Sequence, residues 1–285
     1  MTAAEQHEGQ HEGQHDWHID RLDLAGYLAR LGQPAADPSR AALDALHVAH
    51  VRTFTFDNID VLLDQHPGVG LDALNEKFVE RGRGGYCFEH STVLAAALER
   101  LGYDVRRRLG RVGDPARGDV QGRTHMTVEV RLDGERLLCD PGFGMSLIRP
   151  VVLADGARSD QDGWPYRVVR VDEGWGLQRL REVGWEHSHT VEEIPVLPVD
   201  VVIGHHYTST FPSSHFRQGL MLTRHDVGRH VTVTHDSLTV RRPGRPTEHR
   251  PLAEGELGTW LRALAVPLTA EEERRLLDRL AALGG

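Results

Sequence analysis

Cys87 stands in Arg83-Gly84-Gly85-Tyr86-Cys87-Phe88-Glu89-His90, directly before an apolar run. A thiol in the first turn of a helix faces unpaired backbone N–H groups and the positive end of the helix dipole. Both favour thiolate over thiol. The paired glycines permit a tight turn and the close approach of another molecule. Downstream lie His125, at the head of an alternating segment, and Asp140, just after Leu137-Leu138-Cys139. A nucleophilic cysteine needs a base or counter-cation, and that imidazole gains from an orienting carboxylate. The midpoint of 125 and 140 falls beside Asp133-Gly134, a hairpin turn signal. Both side chains would then stand at one open end of the hairpin, as cross-strand neighbours about 5 Å apart at Cβ. Taken singly, each residue has a plainer reading: a structural histidine, a small buried cysteine, an Asp-Pro-Gly turn. Their combination is what points to covalent catalysis.

The elements that must position these groups follow from periodicity. Leu24, Tyr27, Leu28 and Leu31 recur at helical spacing and stop at Gly32-Gln33-Pro34. Ser39 is placed to cap a second helix carrying Leu43, Leu46 and Ala49, and Leu71, Leu74 and Phe78 mark a third. The run after Cys87 closes at Leu101-Gly102. An aromatic loop, residues 54–60, lies between the second and third helices. From 103 to 205 the period becomes two. Met126, Val128 and Val130 alternate with polar residues, and strands are expected at 166–171, 176–180 and 196–202. This predicts an antiparallel sheet or small barrel. The last third reads as short strands at 221–224, 231–234 and 237–240. A closing helix follows, opened by Thr269 and its acidic first turn and packed through Leu276, Leu277 and Leu280.

The net charge of −9, from 33 basic and 42 acidic residues, argues against general nucleic-acid binding. No apolar run approaches a membrane span, and no basic n-region precedes an apolar stretch at the start. Only two cysteines occur, Cys87 and Cys139. A reducing, cytoplasmic compartment is expected, with Cys139 a small buried strand residue. Residues 1–19, with their His-Glu-Gly-Gln repeats, read as a disordered tail rather than a metal site. Arg106, Arg107, Arg108 and Arg111 form a basic cluster that could attract phosphates; a solvated strand face is the simpler reading.

These residues carry a resemblance. From about 22 to 282 the chain resembles the arylamine N-acetyltransferase family. Arg83 to Glu89 is similar to that family's nucleophile motif, Arg123-Thr124-His125 to its histidine segment, and Asp140-Pro141-Gly142-Phe143-Gly144 to its aspartate segment. Phe56-Asp57-Asn58-Ile59-Asp60 and the stretch from Thr208 to Phe216 resemble two further signatures. The resemblance implies an α+β fold. A helical bundle (20–102) carries the nucleophile, a central antiparallel β-barrel (103–205) carries His and Asp, and a C-terminal α/β lid (206–285) follows. The catalytic core would be like that of cysteine proteases and transglutaminases. It also implies acetyl-CoA as donor, a ping-pong reaction through acetyl-Cys87, and no metal. By the family pattern Cys87, His125 and Asp140 are catalytic, and Thr124, Phe143 and Gly144 lie near the CoA arm. Phe56, Tyr86 and Phe143 line the acceptor cleft. The chain departs from the pattern at His90 for Asn, Pro141 for Val, Asp57 for Glu, and His205-His206 for an Asn-containing stretch.

Other readings stay open at this point. An amide synthase of the same family would pass a bulkier acyl group to an aryl amine. A transglutaminase-like or thiol-peptidase-like hydrolase shares the Cys, His, Asp order. A non-catalytic binding module would have lost one of the three residues, and none is lost. Small-molecule partners are expected and no membrane or nucleic acid, with the oligomeric state open.

Overall fold

The computed structural model describes residues 16–118, 122–172 and 174–284. Most of the His/Gly-rich tail therefore lies outside the described residues. The first helix, Leu24–Leu31, begins at Asp23, whose carboxylate accepts the Gly26 N–H at 2.9 Å. The second, Arg40–Thr53, begins at Ser39, whose hydroxyl accepts the Ala42 N–H as expected of a cap. The third is shorter than its pattern. Leu71–Leu74 is α-helical, and Asn75–Glu80 widens into a π-helical turn that buries Lys77. The nucleophile helix spans Cys87–Arg100 and is buried on every side through Leu98. Such a helix is apolar all round rather than striped. It ends in a Schellman motif, with Tyr103 N–H bonded to Leu98 O and Gly102 at φ 91°.

The change of period to two marks a change of architecture. Eight antiparallel strands form one sheet: β2 (Asp104–Val112), β3 (His125–Leu132), β4 (Glu135–Cys139), β5 (Val151–Val152), β6 (Arg158–Asp160), β7 (Pro165–Val171), β8 (Gly174–Arg181) and β9 (Gly184–Glu192). Their order is β5-β4-β3-β2-β9-β8-β7-β6, and the two end strands approach each other, so the sheet is a nearly closed barrel. Residues 196–202 were expected as a strand and are not one. Pro198 instead opens a helix, Pro198–Thr210, where its missing N–H costs nothing.

A second sheet has the order β1-β10-β11-β12-β13, with β1 (Phe56–Asp57), β10 (Leu222–Asp226), β11 (Arg229–Val233), β12 (Ser237–Arg241) and β13 (Glu248–Pro251). The aromatic loop thus supplies an edge strand to the C-terminal sheet, with Phe56 opposite Thr223. The closing helix, Ala270–Gly284, begins with a reciprocal cap. Glu272 N–H donates to Thr269 Oγ1 at 3.1 Å and Thr269 N–H to Glu272 Oε2 at 2.9 Å. Among the described residues no helix is long and apolar enough to cross a membrane.

The arginine cluster of β2 is only in part a solvated face: Arg106 and Arg111 are exposed, while Arg107 and Arg108 are buried. Arg107 pairs with Glu99 at 2.7 Å, Arg108 with Glu129 at 2.7 Å and Arg111 with Glu192 at 2.8 Å, and the first two are buried. The charge of these three is already balanced within the fold.

Candidate active site

The start of the nucleophile helix packs against the open end of the β3–β4 hairpin. Gly142 lets backbone meet backbone there, and Gly84 allows a second close approach, to the aromatic loop. A Cβ on Gly142 would fall 2.7 Å from Cys87 Cα, and one on Gly84 would fall 1.8 Å from the Thr55 carbonyl oxygen. Cys87 is buried, with its Sγ 3.5 Å from the carbonyl oxygen of Thr124. On one side the His125 imidazole is close enough to Cys87 for a thiolate there to favour the charged ring. On the other, its Nε2 lies 3.2 and 3.3 Å from the two oxygens of Asp140.

The hairpin register corrects the expected geometry of this pair. Val128 opposes Cys139 and Leu132 opposes Glu135, so the pairing centre lies one residue beyond the midpoint of 125 and 140. Continuing that register places Thr127, not His125, opposite Asp140. His125 reaches the carboxylate diagonally along the same face, a separation an imidazole can span.

Asp140 carries a second imidazole that sequence reasoning missed. His189 Nε2 lies 2.8 Å from Asp140 Oδ2, closer than His125 does. Its place depends on a bulge. In the β8–β9 ladder His189 pairs with Leu177 and His187 with Gln178, leaving Ser188 supernumerary. Cross-strand partners share a face, so the bulge puts His187 and His189 on opposite faces, where a plain strand would put them on the same one. Burial alone would raise the Asp140 carboxyl, but the two imidazoles hold it well below the usual carboxylate range. Burial alone would lower His125; the Asp140 charge, with the hydrogen bond to Asp140 and the nearby Cys87, outweighs it and pushes His125 up to about 10. Burial and the His125 charge lower His189. The site therefore holds one charged and one neutral imidazole on a single carboxylate. The three ligand-type atoms lie within 4.8 Å of one another, close enough to hold a cation. Two imidazole–carboxylate hydrogen bonds produce the same spacing.

A buried ionic network fixes the helix start. Glu89 accepts the Tyr86 N–H at 3.0 Å and the Lys77 ammonium at 2.5 Å. Lys77 also meets Asp60 at 2.9 Å, and Arg83 bridges Asp60 at 2.7 Å and Glu272 at 2.9 Å. The π-helical turn, the aromatic loop, the nucleophile helix and the closing helix are thereby tied to one another.

Behind Cys87 runs a neutral chain of Tyr27, His50 and His90. Tyr27 Oη lies 2.7 Å from His50 Nδ1, His50 Nε2 lies 2.7 Å from His90 Nδ1, and His90 Nε2 lies 3.1 Å from the Thr55 carbonyl oxygen. The Thr55 carbonyl can only accept, while the Gly85 N–H also donates to His90 Nε2 at 3.4 Å, so the two contacts at this nitrogen call for opposite tautomers. Burial depresses these rings: His90 and His47 to about 4, and His50 well below its ordinary value. On acidification below about 6.5 the unfolded chain binds protons that these rings refuse. Each then removes up to about 1.4 kcal/mol of stability per pH unit. The melting temperature should fall steadily from pH 6.5 to pH 4, and less steeply in His90→Asn. Thermal melts across that range test this; a flat profile contradicts it.

The remaining expected residues surround this centre. The Phe143 ring packs 5.1 Å from His125 and 5.2 Å from His189. The Gly144 carbonyl accepts from His230 Nε2 at 2.7 Å. Phe56 packs on Phe216 at 6.2 Å and lies beside Gly144. Tyr86 is buried, and its hydroxyl meets His205 Nδ1 at 2.5 Å, so it faces the helix Pro198–Thr210. Thr124 lines a cleft of about 300 Å³ with Gly204, Ile203 and Tyr207 of that helix.

The N-acetyltransferase family model matches residues 40–269. An arylamine N-acetyltransferase of Mycolicibacterium smegmatis is 34% identical over 235 residues, which cover 80% of this chain and 85% of the relative. The solved arylamine N-acetyltransferase of Mycobacterium abscessus superposes with a TM-score of 0.87 at 32% identity, covering 93% of this chain and 97% of its own. That of Mycobacterium marinum in complex with CoA superposes at 0.85 and 31% identity, covering 92% and 99%. The chain belongs to the arylamine N-acetyltransferase family.

Proposed function

We propose that this protein moves an acetyl group from acetyl-CoA to an aromatic amine or hydrazine in two half-reactions, through an acetyl thioester on Cys87. The observation that carries this reading is the buried contact of a helix-heading thiol with an imidazole held charged by Asp140. Cys87 sulfur attacks the thioester carbonyl, its new S–C bond replacing the bond to CoA, and CoA departs with the proton of His125. The amine then attacks the acetyl-cysteine. His125 takes the proton the amine loses, and the Cys87 sulfur is released. Asp140 orients His125 and stabilises its charge. The N–H groups of Cys87 and Phe88 head the helix, where no intrahelical acceptor serves them, and would hold the oxyanion.

In this reading Thr124, Phe143 and Gly144 flank the donor's thioester arm, and Phe56, Tyr86 and Phe143 shape the acceptor side. The half-exposed Phe143 ring against His125 supports its place in both. The chain is read as a helical part (20–102), a barrel part (103–205) and an α/β lid (206–285), with the protease-like division of Cys on a helix and His and Asp on strands. The helix Pro198–Thr210 runs across the second join. The names of the M. smegmatis and Escherichia coli relatives, both arylamine N-acetyltransferases, favour acetyl over a bulky acyl group and transfer over hydrolysis.

Intact-mass spectrometry of the protein with acetyl-CoA and no amine tests the mechanism. One added acetyl group on Cys87, cleared by an aromatic amine with amide formation, is expected. An unchanged mass with the thioester intact would overturn it.

A further inference from the structure

Phe143, whose ring faces His125 and His189, sits in the loop of residues 141–149 between β4 and β5. Among the described residues, no backbone group of this loop bonds to the backbone of another element. Ser146 folds the loop on itself. Its hydroxyl accepts the Phe143 N–H at 3.2 Å and lies 2.6 Å from the Phe143 carbonyl oxygen and 2.9 Å from that of Pro141. Side chains from elsewhere hold the other carbonyls. His230 Nε2 donates to Gly144 at 2.7 Å, the Tyr166 hydroxyl of β7 to Met145 at 3.2 Å, and His47 Nδ1 of the second helix to Ile148 at 3.0 Å. Of these three, His230 acts closest to Phe143 in the chain, and it alone comes from the C-terminal sheet.

His230 lies on β11 directly opposite His225 of β10, and the two buried rings meet nearly perpendicular at 5.2 Å. The Gly144 carbonyl can only accept, so Nε2 carries the proton and Nδ1 is the bare nitrogen. That nitrogen is buried without a hydrogen-bond partner. Burial, with His225 beside it, holds the ring well below its ordinary value and therefore neutral. For packing alone an apolar ring would serve better, because an unsatisfied buried nitrogen is costly. What the imidazole adds is the one hydrogen bond to Gly144.

The same sheet reaches the other wall of the site. Its edge strand β1 pairs with β10, Phe56 bridges Gly85, and the Asp57 N–H donates to the Gly85 carbonyl at 2.7 Å, two residues before Cys87. One sheet thus grips the turn into the nucleophile through β1 and the loop of Phe143 through His230.

We propose that His230 is a positioning residue for the transfer reaction: through the Gly144 carbonyl it fixes the Phe143 ring at the spacing from Cys87 that the reacting groups need. The inference rests on the proposed function for the reaction it serves. Misplacing reacting groups by about 1 Å costs far more in rate than a single weak contact is worth.

Two variants of the full chain separate packing from the hydrogen bond. His230→Phe keeps a ring against His225 and removes the donor, whereas the amide nitrogen of His230→Gln can stand in for Nε2. With acetyl-CoA and an aromatic amine, His230→Phe should lose about tenfold in kcat/KM, the scale of one hydrogen bond, and His230→Gln should recover most of it. Alkylation of Cys87 by iodoacetamide, followed across pH, should keep its rate and profile in both variants, since Cys87, His125 and Asp140 are untouched. Hydrogen exchange of residues 141–149 should quicken in His230→Phe and return toward wild type in His230→Gln. An unchanged kcat/KM in His230→Phe overturns the proposal. So does a His230→Gln no better than His230→Phe, or an alkylation rate that falls in step with transfer, which would mark general damage to the site. Should the wild type transfer no acetyl group, the proposed function fails while loop exchange still decides the tether: equal rates in wild type and His230→Phe overturn it.

Discussion

Replacing Cys87 with alanine or serine stops acetyl transfer, lowering the rate by at least about 10⁴-fold while the protein stays folded. The expectation follows from the chemistry, since no other thiol is available: Cys139 is buried in β4, and burial pushes its thiol up. A seryl oxygen in that place would need a base to take its proton, and His125 is held protonated at neutral pH by Asp140. His125→Ala should be nearly as damaging. The double variant should be little worse than either single one, because residues that act as a unit lose their effect together. Initial rates with an aromatic amine, alongside circular dichroism to verify folding, check this. A folded Cys87→Ala variant with full activity would end the covalent mechanism.

The largest effect on stability is expected at Lys77. Its ammonium lies between Asp60 and Glu89, all three buried, and Arg83 alone would remain to balance Asp60. Lys77→Met strips Glu89 of its counter-charge inside the fold, which costs about 3–5 kcal/mol. Adding Glu89→Gln should recover part of that loss, because a neutral amide can keep the hydrogen bond to the Tyr86 N–H. Urea unfolding of the single and double variants checks this. A double variant no more stable than Lys77→Met would show that the damage comes from lost packing rather than stranded charge.

Much of this was legible before any coordinates. The hairpin turn at Asp133-Gly134, the caps at Ser39 and Thr269, and the helix after Cys87 all follow local rules that residue type reveals. What stayed hidden depends on relations between distant elements. The pairing centre of β3 and β4 lies one residue beyond the midpoint of His125 and Asp140, a shift no composition records. Residues 196–202 are rich in valine, as a strand would be, yet Pro198 opens a helix there, at the one helical position where its missing N–H costs nothing. The β2 arginines looked like a solvated face because their partners Glu99, Glu129 and Glu192 come from three other places in the chain. His189 was one histidine among 18, and only the bulge separates it from His187.

That bulge has a consequence for how the chain tolerates changes in length. His187 and His189 already occupy the opposite faces they would have as consecutive residues of an unbroken strand. Deleting Ser188 would therefore leave each flanking residue on its present side and remove the local bend, together with the carbonyl that accepts the Gly113 N–H at 3.3 Å. Deleting any single neighbour without using up that spare residue would exchange interior for exterior along one arm of β9. The strand holds one residue of slack at a fixed address. A frame-preserving loss of one codon is absorbed there, and a few codons away the same loss turns the barrel wall inside out.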